Sequence, residues 1–131
     1  MRFPHNVRAF ITFDNTRAHM IYAGADLFLM PSKWEPCGLG QMISMRYGTV
    51  PLVRRTGGLA DTVSDLGPEL KSGTGFVFND YSSAALSSAL ERAANGFKQK
   101  AAWKKLVGRI MKQDFSWSGP AARYEELYKI L

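Results

Sequence analysis

Short apolar runs alternate with longer stretches of helical periodicity along this chain. Four such runs, each bounded by turn residues, predict β-strands at residues 7–12, 26–30, 50–53 and 75–78. Strands that alternate with helices favour parallel βαβ units with right-handed crossovers. The predicted fold class is therefore α/β, a partial Rossmann-like parallel sheet with flanking helices.

The intervening stretches carry the period and the capping residues of helices. Helices are predicted over 15–22, closed by Gly24, and over 39–47, closed by Gly48. Residues 60–66 are ambiguous and are compatible with a short helix, whereas Ser82 or Ser83 would cap the next helix. The later helices repeat apolar residues with a 3.6-residue period, at Leu86, Ala89, Leu90, Ala93, Phe97, Trp103, Leu106, Val107, Ile110, Met111, Tyr124, Leu127, Tyr128 and Leu131.

Four strands are few for an open doubly wound sheet, and no strand precedes the one predicted at residue 7. We therefore expect residues 1–131 to form the carboxyl-terminal portion of a larger domain. The apolar stripe of the last helix is then a candidate contact for the missing polypeptide. The first residues lack the apolar core of a secretory signal, and no apolar run is long enough to span a membrane.

Charge and cysteine content narrow the function classes. The formal net charge is +6, and six of the 17 basic residues fall within 98–112, where no acidic residue interrupts them. Lys105, Arg109 and Lys112 are spaced to share a helix face, which is either a solvated face or a contact for an anionic partner or another domain. No signature of a nucleic-acid-binding fold accompanies them. The single cysteine excludes an internal disulfide and favours a reducing compartment, and two histidines form no metal motif.

Glu35 is the first candidate for chemistry because it follows a predicted strand and precedes a predicted helix. Pro36 restricts the backbone of Glu35 to extended conformations, so the carboxylate is held in place. The start of the following helix offers free amide groups to an anion. A solvated loop glutamate is the alternative interpretation, just as Cys37 is either a ligand contact or a small buried filler.

A second candidate loop follows the next strand and contains Gly57 and Gly58. Adjacent glycines at a strand end form either a backbone cradle for a ligand or a plain turn. Because the carboxyl ends of parallel strands open on one edge of a sheet, we expect this loop to lie beside Glu35. Arg54 and Arg55 are candidate phosphate contacts, although one should point away from the other along an extended strand.

Other catalytic patterns are missing from the sequence. No second carboxylate lies at useful spacing from Glu35, so a paired-carboxylate glycosidase is not indicated. Neither a Gly-x-Ser-x-Gly elbow nor a Walker motif occurs.

Longer motifs resemble those of bacterial glycogen synthases and plant starch synthases, which form glycosyltransferase family 5 and have the GT-B fold. The resemblance covers nearly the whole chain from about Phe10. Its segments are Glu-Pro-Cys-Gly-Leu at 35–39 with Gln41, Arg-Tyr-Gly-Thr-Val-Pro at 46–51, Arg-Thr-Gly-Gly-Leu-Ala-Asp-Thr-Val at 55–63, and Asp-Phe-Ser-Trp at 114–117 followed by Tyr124, Leu127 and Tyr128.

The resemblance implies a role for each candidate residue. Glu35 corresponds to the family's essential glutamate beside the donor glucose. The same sugar pocket would be lined by Cys37 and Gly38, and the donor diphosphate would meet the helix start at Gly38, Leu39 and Gly40. A second loop of Thr56, Gly57 and Gly58 would face the sugar nucleotide. Phe13 would either stack against the adenine or be a core phenylalanine at a strand end.

The resemblance also implies an activity and a departure from the family pattern. The activity is retaining transfer of glucose from ADP-glucose or UDP-glucose to the nonreducing end of an α-1,4-glucan, without a cofactor or metal. Gly40 stands where family members often carry threonine, and the amino-terminal acceptor domain is absent from residues 1–131. We therefore expect this chain to be inactive alone. We expect its location to be a bacterial cytoplasm or a plastid stroma. The alternatives are a non-catalytic module that binds nucleotide, sugar or another protein and a basic interaction domain.

Overall fold

A computed structural model of the chain describes residues 3–130. Three parallel strands form one sheet in the order β1-β2-β3, with Leu27 opposite Val50 and Arg54 opposite Phe78. Helices flank the sheet, and the last three helices come after the final strand in the chain. The elements in chain order are α1 (Asn15–Gly24), β1 (Leu27–Met30), α2 (Gly40–Tyr47), β2 (Val50–Arg54), α3 (Gly57–Thr62), β3 (Phe76–Phe78), α4 (Ser83–Lys98), α5 (Lys100–Ile110) and α6 (Ser118–Ile130).

The strand predicted at residues 7–12 is wrong. Residues 3–13 form neither helix nor strand, and their side chains are exposed. An extended segment becomes a strand only when its backbone groups pair with a neighbouring strand, and the pairing of β1 involves β2. Phe10 lies against the Arg17 guanidinium of α1, 4.3 Å from ring centroid to Cζ, rather than in a core.

The hydrophobic core lies between the sheet and helices α4 and α5. Strand β2 is buried along nearly its whole length, as expected for the central strand of a parallel sheet. Phe76 of β3 stacks on Trp103 of α5 at a centroid distance of 6.2 Å, and Ala89 and Ala93 of α4 are buried in the same cluster. Leu90 and Met111, which belong to the apolar periods of the predicted helices, are instead exposed, and Met111 lies just beyond the end of α5.

Most helix boundaries agree with the sequence prediction. Ser82 is the N-cap of α4 and accepts a hydrogen bond from the amide of Ala85, and Gly48 closes α2 with φ of 85°. Helix α3 begins at Gly57 rather than within 60–66, so part of the supposed glycine turn is helical. No helix among residues 3–130 is long and apolar enough to cross a membrane.

The carboxyl-terminal helix has no buried residue. Tyr124, Leu127 and Tyr128 are all exposed, as expected for an apolar stripe whose contact surface is not among residues 3–130, whereas Leu131 lies outside the described residues.

The basic face predicted for Lys105, Arg109 and Lys112 does not form as expected. Arg109 donates to the carbonyl oxygens of Leu70 and Gly73 at 3.0 Å each, and Lys112 lies beyond the end of α5, so the two do not share a helix face.

Candidate functional site

The loops that follow β1 and β2 are hydrogen-bonded to each other at the edge of the sheet. The amide of Gly58, in the first turn of α3, donates to the carbonyl oxygens of Glu35 at 3.2 Å and of Pro36 at 3.3 Å. The expectation that the two loops are neighbours is therefore correct. Backbone contacts, and not only strand geometry, determine where the Glu35 loop sits relative to α3.

Gly57 and Gly58 are required by this contact. A Cβ at Gly57 would come within 1.9 Å of the Glu35 carbonyl oxygen, and Gly57 has φ of 43°. A Cβ at Gly58 would come within 1.9 Å of the Cys37 carbonyl oxygen. No side chain fits at either position, so the pair is more than a plain turn. The group that approaches these glycines is the backbone of the neighbouring loop.

The Glu35 carboxylate is half-buried and is contacted by one hydroxyl group. The Ser32 side chain donates to Oε2 of Glu35 at 3.3 Å, which leaves the other carboxylate oxygen available to a ligand. Six residues lie between Ser32 and Leu39, the N-cap of α2. The carboxylate is thus a restrained group of the loop that leads into this helix.

The start of α2 has the properties of an anion site. Leu39 provides no side-chain cap, and the first turn of the helix contains no acidic residue. Within residues 3–130, the amides of Leu39 and Gly40 donate to no protein acceptor. Uncapped amides at the positive end of a helix stabilise negative charge. Gly40 makes room for neighbouring aromatic side chains, because a Cβ there would lie 3.0 Å from Phe28 and 3.3 Å from the Tyr22 hydroxyl oxygen.

Arg54 has a structural role that sequence reasoning missed. Its Nε donates to the Ser32 carbonyl oxygen at 2.9 Å, its Nη1 to that of Asn79 at 3.2 Å, and its Nη2 to that of Lys33. The guanidinium therefore ties the loop after β1 to the loop after β3. Three of its five N–H groups are directed at carbonyl oxygens, which gives Arg54 a structural role, and its contact with phosphate stays a prediction. The next residue, Arg55, donates to the Asn79 side chain at 2.9 Å.

The remaining predicted site residues occupy more exposed positions. Cys37 is an exposed free thiol, so its interpretation as a buried filler is wrong. Thr56 is the N-cap of α3, and its hydroxyl makes no capping hydrogen bond. Phe13 is fully exposed just before the N-cap of α1, so it is not a core phenylalanine, and no contact joins it to Glu35 among the described residues.

The described residues contain no cluster of metal-binding type. No group of three or more His, Cys, Asp or Glu side chains comes together within residues 3–130. The chemistry that this site offers is therefore built from one carboxylate, a set of free amides, a thiol and a hydroxyl group, all at one edge of the parallel sheet.

Comparisons with known proteins agree on one family. The family model of glycosyl transferases group 1 matches residues 4–106. The chain is 54% identical over 126 residues to the glycogen synthase of Geotalea daltonii, and this match covers 96% of the chain. It is 52% identical over 129 residues to the glycogen synthase of Thermotoga maritima, which covers 98% of the chain. In both cases the chain spans 26% of the relative's length, about a quarter.

Solved structures give the same result. The catalytic domain of starch synthase IV from Arabidopsis thaliana, bound to ADP and acarbose, superposes with a TM-score of 0.86 at 44% identity, covering 98% of this chain and 27% of that chain. The sucrose-phosphate synthase of Thermosynechococcus elongatus superposes with a TM-score of 0.63 at 25% identity, covering 90% of this chain and 28% of that chain. The predicted fold class, an α/β portion of a GT-B glycosyltransferase, is confirmed.

Proposed function

The chain belongs to the glycosyl transferases group 1 family, and we propose that it is the donor-binding carboxyl-terminal part of a glycogen or starch synthase. In this proposal residues 1–131 form part of the nucleotide-sugar domain, and the acceptor groove comes from polypeptide outside them. The reaction is transfer of glucose from ADP-glucose to the nonreducing end of an α-1,4-glucan with retention. ADP is the favoured nucleotide because the Arabidopsis structure binds ADP. We expect a bacterial cytoplasm or a plastid stroma.

One observation carries the proposal. The amide of Gly58 and the absence of side chains at Gly57 and Gly58 hold the Glu35 loop against α3, next to the free amides at the start of α2. A nucleotide sugar has a diphosphate for the amides and a hydroxyl-rich sugar for the carboxylate. A single restrained carboxylate beside an anion site suits such a ligand better than it suits a hydrolytic carboxylate pair.

The same arrangement suggests how the chain's residues assist transfer. Negative charge develops on the departing diphosphate, and the amides of Leu39 and Gly40 at the positive end of α2 stabilise it. The glucosyl group becomes positively charged in the transition state, and the Glu35 carboxylate stabilises that charge or anchors a sugar hydroxyl. Glu35 is not assigned as a nucleophile. The leaving phosphate instead takes the acceptor proton on the same face, which preserves the anomeric configuration.

Glu35 gives the sharpest test of this function. We suggest a hybrid enzyme in which this chain replaces the corresponding region of the Thermotoga maritima glycogen synthase, which is 52% identical to it. The hybrid should transfer glucose from ADP-glucose to glycogen, and Glu35→Gln should lower kcat about 10³-fold, the scale seen when one stabilising group is removed from an active site. Glu91→Gln, at an exposed position of α4, is the matched control and should leave kcat unchanged. Near-normal turnover of the Glu35→Gln hybrid would remove Glu35 from the mechanism.

A non-catalytic binding module is the second candidate, because the chain spans only about a quarter of its relatives' length. The 131-residue chain alone should show no glucose transfer. Isothermal titration of this chain with ADP and with ADP-glucose separates the two functions. Tight binding by the chain together with a hybrid that has no activity would favour the binding module. An active hybrid favours the synthase, whatever the affinity of the chain alone.

A further inference from the structure

Gln41 is a buried polar residue whose hydrogen bonds connect the two loops of the site. It lies in the first turn of α2 and is 0% exposed. Its Nε2 donates to the Gly38 carbonyl oxygen at 2.8 Å and to the Thr62 hydroxyl oxygen at 3.0 Å, and lies 3.4 Å from the Cys37 carbonyl oxygen. We propose that Gln41, acting through Thr62, is a positioning residue that keeps the start of α2 and the Gly57–Gly58 turn in register. This inference rests on the function proposed above.

Thr62 carries the connection from Gln41 to the glycine turn. Its hydroxyl donates to the Gly58 carbonyl oxygen at 2.6 Å, so the single hydroxyl proton is used there and the oxygen accepts from Gln41. The amide of the same Gly58 donates to the Glu35 carbonyl oxygen at 3.2 Å. The side chains of Gln41 and Thr62 therefore complete a closed path in which hydrogen bonds are linked by short stretches of backbone. That path joins the Glu35 loop, the glycine turn and the start of α2.

The surroundings of the Gln41 amide show that it acts as a donor. Three acceptors lie around Nε2, whereas Oε1 is buried and accepts no hydrogen bond from any residue within 3–130. Rotating the amide by 180° would bring its oxygen against carbonyl oxygens, which fixes the assignment. A buried carbonyl without a donor lowers stability, and a methionine of similar shape would fill this space without that cost. Packing alone therefore does not account for glutamine here.

The connection has a specific consequence for ligands. In the proposed function the free amides of α2 face the diphosphate, and the Glu35 loop, which packs on Gly57 and Gly58, faces the sugar. A ligand that touches both parts, such as ADP-glucose, gains from having them in register. ADP touches mainly the α2 side, so its affinity depends less on the register. Loss of the connection should reduce discrimination in favour of the sugar nucleotide rather than nucleotide binding in general.

The test compares four variants in the hybrid enzyme. Gln41→Met and Thr62→Val remove the connection at either end, Thr62→Ser retains the hydroxyl, and Ser44→Ala removes a different buried hydrogen bond of α2, from the Ser44 hydroxyl to the Gln41 carbonyl oxygen. The measured quantity is KM for ADP-glucose divided by the inhibition constant for ADP. The ratio should rise about tenfold in the first two variants, which corresponds to the loss of one hydrogen bond. It should stay within about twofold of the parent in the other two.

A second measurement tests the connection in the 131-residue chain itself. Amide hydrogen exchange at Gly58 should quicken about tenfold in Gln41→Met and Thr62→Val but not in Thr62→Ser or Ser44→Ala. The proposal is overturned if KM and the inhibition constant change in parallel, or if Ser44→Ala raises the ratio equally. An inactive parent hybrid would instead contradict the proposed function. The exchange rates would then decide the connection alone, and unchanged exchange in both disrupting variants would overturn it.

Discussion

The loops at the sheet edge and the two terminal segments differ in how they obtain their structure. The loops at the sheet edge contain few buried apolar side chains, yet backbone hydrogen bonds join the loop after β1 to α3, and Arg54 joins it to the loop after β3. Residues 3–13 and α6 are rich in large apolar side chains, yet Ile11 is 101% exposed and Tyr128 is 71% exposed. The number of apolar residues in a segment therefore does not indicate whether that segment packs against the rest of this chain.

The contrast has a physical reason. The contact between Gly58 and Cys37 forms entirely within residues 3–130, because the two backbones approach so closely that no side chain fits between them. An amphipathic helix is stabilised only when its apolar face meets another surface, and residues 3–130 provide none for α6. Large exposed apolar faces of this kind are typical of contact surfaces.

The largest expected effect comes from filling the space at Gly58. Gly58→Ala should lower the free energy of unfolding by more than about 4 kcal/mol or prevent folding, because its methyl group would overlap the Cys37 carbonyl. Urea unfolding of the chain measures this change. Gly108→Ala is the matched control, since a Cβ there meets no atom within 4 Å in the exposed part of α5, and it should raise stability by about 0.5–1 kcal/mol. A well-folded Gly58→Ala chain would show that the two loops separate easily.

Two leucines on helices compare the core with the terminal segment directly. Leu106→Ala in α5 should cost about 2–5 kcal/mol, because Leu106 is 0% exposed and truncation leaves a cavity. Leu127→Ala in α6 should change the free energy of unfolding by less than about 0.5 kcal/mol, because that side chain is half exposed. The same two substitutions can be measured in the hybrid enzyme. If α6 contacts the rest of the enzyme there, the effect of Leu127→Ala should grow, and an unchanged small effect would argue against that contact.

Neighbouring arginines at the end of β2 give the smallest expected difference. Arg54→Lys should lower stability by about 1–3 kcal/mol, because a lysine ammonium cannot reach the carbonyl oxygens of Ser32, Lys33 and Asn79 together. Arg55→Lys loses a single exposed contact to the Asn79 side chain and should cost less than about 0.5 kcal/mol. Thermal unfolding of both variants measures the difference. Equal effects would mean that Arg54 does not tie the two loops together.

Sequence reasoning succeeded where a local residue pattern has one structural outcome. The N-cap at Ser82, the glycine end of α2 at Gly48 and the period of α5 were predictable because each depends on neighbouring residues alone. The closeness of Glu35 to Gly57 and Gly58 was predictable because loops at the carboxyl ends of neighbouring parallel strands lie at the same edge of the sheet. The strand predicted at 7–12 failed because its existence depends on a pairing partner.

The α/β pattern, the helix caps and a motif that resembles those of glycogen and starch synthases can be read from the amino-acid sequence alone. The folded structure was needed to show that Gly57 and Gly58 pack on the Glu35 loop, that Arg54 binds three carbonyl oxygens, and that Gln41 reaches Thr62. Local patterns depend on backbone preferences over a few residues, whereas these contacts join positions 21 or more residues apart. Such contacts exist only after the sheet has brought its loops together.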